Sequence, residues 1–167
     1  MDFRRITNLP PYVFTIINNL KIEARRAGVD VIDLGFGNPD IPSPQIAVDK
    51  LAEAARISRN HRYSLSRGLP KLREAVAALY ERRFGVQLDP DLEAINTIGA
   101  KEGFSHLMWV LLDKGDAALV PSPSYPIHIW GPLFAGADVR EIPMGTGTDF
   151  FEKIQEAWEY SWPKPRV

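Results

Sequence analysis

The sequence has 167 residues, 45% of them apolar and 25% charged, with a formal net charge of −1 and no cysteine. That length suits one domain with a real core, and the near-neutral balance excludes a global basic field for nucleic acid or a membrane surface. Lack of cysteine excludes a disulfide framework and any thiolate metal site.

The stretch MDFRRITNLPPYVF has an acid and two prolines where a secretory leader would carry its apolar run, so a cytoplasmic protein is expected. Pro10 and Pro11 are suited to open a helix. The run YVFTIINNLKIEARRAG continues it, with Gly28 as the stop. VDVIDLGFG predicts a short buried strand from Val29 to Leu34, broken at Gly35 and Gly37. NPDIPSP is a rigid proline-rich loop, followed by a helix from about Gln45 to Ala55 and the polar loop RISRNHRYSLSRG. Pro70 begins a further helix with Leu72, Val76 and Leu79 on one face and Gly85 at its end.

From there the pattern alternates. EAINTI predicts a strand leading into a helix near Lys101, and AALVP a strand leading into the helix-like SYPIHIWGPLFAG. DVREIPM is a further strand, DFFEKIQEAWEYS an amphipathic helix, and the final SWPKPRV reads as a linker into a strand beyond it. Strands alternating with helices of this length predict an α/β fold with right-handed β-α-β units and a mostly parallel sheet.

In such a sheet ligands sit at the carboxyl ends of strands, beside helix N-termini. EAINTI ends at Ile98, so the turn Gly99-Ala100-Lys101, with Glu102 following, offers backbone amides at the positive end of a helix. Such a turn suits a phosphate or carboxylate, although the same three residues also make an ordinary strand-to-helix connection. No Walker-type run is present. GFGNPD starts as Gly-x-Gly but has Asp40 where a dinucleotide fingerprint needs glycine or alanine. Tyr125 follows the strand AALV between Pro123 and Pro126, where a fixed ring stacks on a planar cofactor or is merely structural. Tyr63, in the loop YSLSRG, has a hydroxyl able to reach a phosphate oxygen, whereas Arg62 and Arg67 read as solvated charge. His61, His106 and His128 lack metal-ligand spacing. Asp89, Asp91 and Glu93 read as a solvated acidic loop. The residues alone therefore give an α/β domain with an anion site and a nearby aromatic ring.

In order along the chain, VIDLGFGNPDIPSP, YSLSRGLPKLREAVAALYERRFG, TIGAKEGFSHL and GDAALVPSPSYP resemble the pyridoxal-phosphate-dependent aminotransferases of class I/II, the fold-type-I group. LPPYVF, SRG and SYPIHIW look most like the bacterial alanine (glutamate–pyruvate) type, with the LL-diaminopimelate type sharing much of the pattern. The resemblance implies a three-layer, mostly parallel large domain. Residues 1–43 would form an arm and small-domain segment, and 44–167 the first part of the cofactor-binding domain. It implies pyridoxal 5′-phosphate as cofactor, no metal, and an amino acid and a 2-oxo acid as substrates. The amides of Gly99, Ala100 and Lys101 would hold the cofactor phosphate, and Tyr125 would stack on its pyridine ring. Tyr63 would reach the phosphate of a neighbouring subunit, implying a homodimer. Gly37 would present its backbone to the substrate carboxylate, and Tyr12 would help to cover the substrate.

The sequence departs from the family in one respect. The segment Asn-Pro-x-x-x-Gly is expected just after Val167, and the ring-nitrogen aspartate, the Schiff-base lysine and the substrate arginine later still. Lys101 lies at the phosphate turn and does not take the Schiff-base role, so no catalytic residue is assigned. The chain is read as the N-terminal part of a transaminase, inactive by itself; the competing reading is an inert truncated product. In either case a sheet edge and apolar surface are expected to stand open.

Overall fold

A computed structural model of the chain describes residues 7, 9, 11–35, 37 and 39–167. Of the two prolines expected to open the first helix, Pro10 lies outside the described residues, and Pro11 precedes the cap, Tyr12, so it does not sit in the first turn. Helix α1 runs over Val13–Arg26, with Arg25 and Arg26 in the last turn, where cations complement the helix dipole. Helix α2 is Gln45–Ala55, followed by a single 3-10 turn at Ser58–Asn60. Helix α3, Pro70–Phe84, starts with proline in its first turn and stops at Gly85, which is left-handed at φ 67°. Next come α4 (Ala100–Leu111), β1 (Ala117–Ser122), α5 (Pro126–Ala135) and β2 (Asp138–Pro143). Helix α6, Phe150–Tyr160, is capped by the Asp149 carboxylate, which accepts from the amides of Phe151 at 3.0 Å and Glu152 at 3.1 Å.

The chain divides between residues 96 and 97 into two compact units. In the unit over 97–167, β1 and β2 pair in parallel, from Ala117 opposite Asp138 to Ser122 opposite Pro143, with α5 as the crossover. The other edge of β1 is also occupied. The Arg166 amide donates to the Ala117 carbonyl and the Leu119 amide to the Val167 carbonyl, each at 2.8 Å, around a parallel bridge from Ala117 to Pro165. The final residues, expected to be a linker, thus lie alongside β1 as a strand would. With both edges paired, β1 is the buried strand: Ala117, Ala118 and Val120 are essentially inaccessible. Met108 and Leu112 from the α4 segment meet Ala118 and Ala137 in the core, with Phe104 and Ala135 packed around them. Gly131 lets α4 and α5 approach: a Cβ there would lie 3.0 Å from Phe104 Cε1 and 3.1 Å from Met108 Cγ.

The unit over 11–96 is helical, and one buried charge organises it. Arg73 of α3 donates through Nη1 to the Pro90 carbonyl and, at 2.7 Å, to the Asp91 carboxylate. Arg67 Nη1 donates to the Asp91 carbonyl. Asp89 accepts the amides of Asp91 at 2.7 Å and Leu92 at 3.2 Å. The acidic stretch expected to be simply solvated, and the arginine expected to be free charge, are therefore parts of one organised turn.

Two expected strands do not form. Residues 29–34 and 93–98 carry no strand pairing. Leu34 and Ile98 are about nine-tenths exposed. Apolar, β-branched sequence only fits a pleated surface; without a partner strand among the described residues it stays irregular. The described residues hold no helix long and apolar enough to cross a membrane and no cluster of metal-ligating side chains. Exposed Phe151, Trp158, Tyr160 and Trp162 leave apolar surface at α6 and just beyond it, as the open apolar surface expected from the sequence requires. Surface of this kind drives association. We therefore expect the chain to self-associate as its concentration rises in sedimentation velocity; a monomer with one cooperative melt at high concentration would contradict this.

Candidate cofactor site

The centre of the site is the start of α4. Its cap, Gly99, has φ 84° and ψ 159°, a region essentially reserved for glycine. That conformation turns the chain sharply into the helix, whose first amides have no intrahelical carbonyl to bond. A Cβ built on Gly99 meets nothing within 4 Å, so the space above the turn is open. Behind it, the Thr97 hydroxyl donates to the Gly99 carbonyl at 3.1 Å, and the Glu102 carboxylate accepts the Ile98 amide.

An aromatic ring lies beside this turn. Tyr125 caps α5 in an extended conformation, three residues past the end of β1. The ammonium of Lys101 sits 5.2 Å from its ring centroid, a cation–π distance. The Tyr125 ring meets the His128 ring edge-on at 6.2 Å, and His128 lies 5.1 Å from the Phe104 ring. The neighbouring Ser124 hydroxyl is buried with no hydrogen-bond partner. Helix-start amides, an ammonium and an exposed ring face make a donor set for a phosphate attached to a flat heterocycle. The residues fit pyridoxal phosphate.

Thus Gly99, Ala100, Lys101 and Tyr125 are drawn together as the sequence suggested. Thr97 and Ser124 escaped that reading, Glu102 entered it only through its backbone amide, and His128 only as a structural or surface residue. Glu102 had a legible signal, its three-residue spacing from the cap; His128 had one in its placement one helical turn after Tyr125.

Tyr12, Gly37 and Tyr63 belong to the unit over 11–96. Tyr12 caps α1 and, with Phe14, Ile17, Lys21, Asp33 and Gly35, lines a cavity of about 320 Å³. At its wall Lys21 pairs with Asp33 at 2.7 Å, and the Gly35 amide donates to the same carboxylate at 3.0 Å. The Lys21 hydrogen bond, and then the Gly35 amide, hold the Asp33 carboxyl below its usual value. Gly37 is exposed, with open space where a side chain would be. Tyr63 is fully exposed in its loop.

The family model for aminotransferase class I and II matches residues 29–159. The chain belongs to the class I and II aminotransferases. It is 52% identical over 165 residues to the glutamate-pyruvate aminotransferase AlaC of Escherichia coli, covering 99% of this chain and 40% of that protein. It is 44% identical over 154 residues to an LL-diaminopimelate aminotransferase of Desulforudis audaxviator, covering 92% of this chain and 39% of that protein. Among solved structures, substrate-bound BacF from Bacillus subtilis superposes with a TM-score of 0.79 at 36% identity, over 94% of this chain and 41% of that one. A mutant aspartate aminotransferase of Thermus thermophilus gives 0.78 at 32% identity, over 94% of this chain and 41% of that one. The chain thus spans about two-fifths of the length of the relatives it matches. The α/β architecture with a parallel sheet is that of fold-type-I aminotransferases, a pyridoxal-phosphate-dependent group.

Two substitutions test this geometry in an aminotransferase of this shape. Gly99→Ala should cost about 1–3 kcal/mol in denaturant unfolding, from backbone conformation rather than collision; an unchanged midpoint would refute the turn. The Asp33 carboxyl is held below its ordinary 3.8. Its contribution is therefore present above that value and lost as pH falls through the lower folded one. Thermal midpoints of Asp33→Asn should lie below wild type at neutral pH and converge with it in strong acid.

Proposed function

We propose that the chain provides the phosphate-holding and ring-stacking part of an aminotransferase that moves an amino group between an amino acid and a 2-oxo acid. The observation that carries this is the Lys101 ammonium, held 5.2 Å from the Tyr125 ring at the glycine-capped start of α4. In this reading the amides of Gly99, Ala100 and Lys101 bind the phosphate of pyridoxal 5′-phosphate, and the helix dipole favours its charge. Tyr125, restrained between Pro123 and Pro126, stacks on the pyridine ring and fixes its plane. The cofactor supplies an electron-withdrawing ring that stabilises negative charge on the substrate's α-carbon. Gly37 offers backbone to the substrate carboxylate, and Tyr12, over its cavity, shields the substrate from water.

Alanine and glutamate, with their 2-oxo acids, are the substrates favoured, on the strength of the 52% identity to a glutamate-pyruvate aminotransferase. The runner-up is LL-diaminopimelate, supported by relatives that are 44–46% identical. Tyr63, fully exposed in its loop, reaches the phosphate held by a second copy, which makes the working form a homodimer with shared sites. The division into an arm over 1–43 and a cofactor-binding portion over 44–167, and a cytoplasmic location, belong to the same reading.

The test uses pyridoxamine 5′-phosphate, which lacks the aldehyde and so is not captured by surface lysines. In equilibrium dialysis the chain should bind it, Tyr125→Phe should bind comparably, and Tyr125→Ala roughly fivefold more weakly, the order expected for one lost stacking contact. Equal binding by the alanine variant would remove the ring from the site.

A further inference from the structure

Gly99 caps α4 without a side chain, so nothing at the cap position itself holds the turn in shape. Two neighbouring polar side chains bond the turn instead. Glu102, in the first turn of α4, reaches back past the cap to accept the amide of Ile98. Thr97 donates its hydroxyl to the Gly99 carbonyl at 3.1 Å, an acceptor that also takes the Gly103 amide at 3.4 Å. The fit is close: a Cβ on Gly103 would lie 3.1 Å from the Thr97 hydroxyl oxygen. The two residues before Gly99 are thereby tied to the turn and to the helix that follows it, Ile98 through Glu102 and Thr97 through the Gly99 carbonyl.

Glu102 has a second, opposing effect. It places a negative charge in the same first turn whose positive end attracts an anion. A carboxylate free to swing towards the cradle would compete for the amides of Ala100 and Lys101. Bonded to the Ile98 amide, it is directed back to the segment that precedes the turn. Among the described residues it pairs with the His106 ring, 3.9 Å away and charged only when protonated.

We infer that Glu102 and Thr97 are positioning residues for phosphate, clamping the Gly99 turn so that its amides converge on one anion. This rests on the cofactor reading above. The clamp and the charge of Glu102 act in opposite directions, so they must be separated. Glu102→Gln removes the charge but keeps an oxygen able to accept the Ile98 amide. Glu102→Ala removes both. At equal charge, the difference between these two variants is the clamp.

The experiment is equilibrium dialysis of the chain and both variants against pyridoxamine 5′-phosphate and, in parallel, against pyridoxamine, which has the ring but no phosphate. The glutamine variant should bind the phosphorylated probe at least as tightly as wild type. The alanine variant should bind it about fivefold more weakly than the glutamine variant, the order of one lost capping hydrogen bond. Pyridoxamine should be bound equally by the two, or by neither. Thr97→Val and Thr97→Ser should repeat the contrast, serine keeping the hydroxyl. If wild type takes up no phosphorylated probe, the cofactor reading falls and the positioning role with it. If wild type binds but the Gln and Ala variants bind alike, the cofactor reading stands and the positioning role is overturned. A parallel loss of pyridoxamine binding would also overturn it, since that is general loosening.

Discussion

Strand β1 is hydrogen-bonded along both edges, to β2 on one side and to the chain at 165–167 on the other. The rest of its unit depends on that two-sided pairing. A strand with both edges occupied has its backbone groups satisfied and can be buried. Burying it brings Ala117, Ala118 and Val120 out of solvent and gives the α4 segment and α5 a surface to pack on. Close packing then requires small residues. Gly131 supplies the approach that Phe104 and Met108 need. With α4 and α5 drawn together over one strand, the start of α4 and the residue before α5 become neighbours.

Their proximity is what makes a candidate site. Gly99 and Tyr125 are separated by a helix and a strand in sequence, yet each caps a helix in the same unit. A helix start contributes partial positive charge and undirected amides; the Lys101 ammonium contributes a full charge beside an aromatic face. None of these groups is specific alone. Combined, they have the chemistry that a ligand with a dianionic group at one end and a flat ring at the other would require, which is the basis of the function proposed above. The likeness to class I and II aminotransferases gives that combination its chemical context.

The unit over 11–96 solves a different problem, that of holding polar turns without a sheet. Arg73, buried on α3, gathers the acidic stretch 89–93 by bonding one of its carbonyls and one of its carboxylates. Lys21 and Asp33 tie α1 to the segment that carries Gly35. In both cases an ion pair orders a segment lacking the regular hydrogen bonding of a strand. Its partly shielded position gives such a pair more weight than a fully solvated one.

The helices, the proline starts of α3 and α5, the glycine stops, the glycine turn at residue 99 and the proline-flanked Tyr125 were legible from residue order, whereas the expected proline start of α1 gave way to a cap at Tyr12. Helical hydrogen bonds close within four residues, and so do the caps and turns that bound them. Strands were legible only where a partner exists. VDVIDL and EAINTI have the composition of strands but no partner strand among the described residues, while the unpromising PRV at 165–167 pairs with β1 because β1 has an open edge there. The same distinction separates the parts of the site. The types of residue at the cradle follow from the sequence. The Lys101–Tyr125 approach, the packing of His128 between Phe104 and Tyr125, and the engagement of the acidic loop by Arg73 join residues far apart in the chain, and only tertiary packing determines which of them meet.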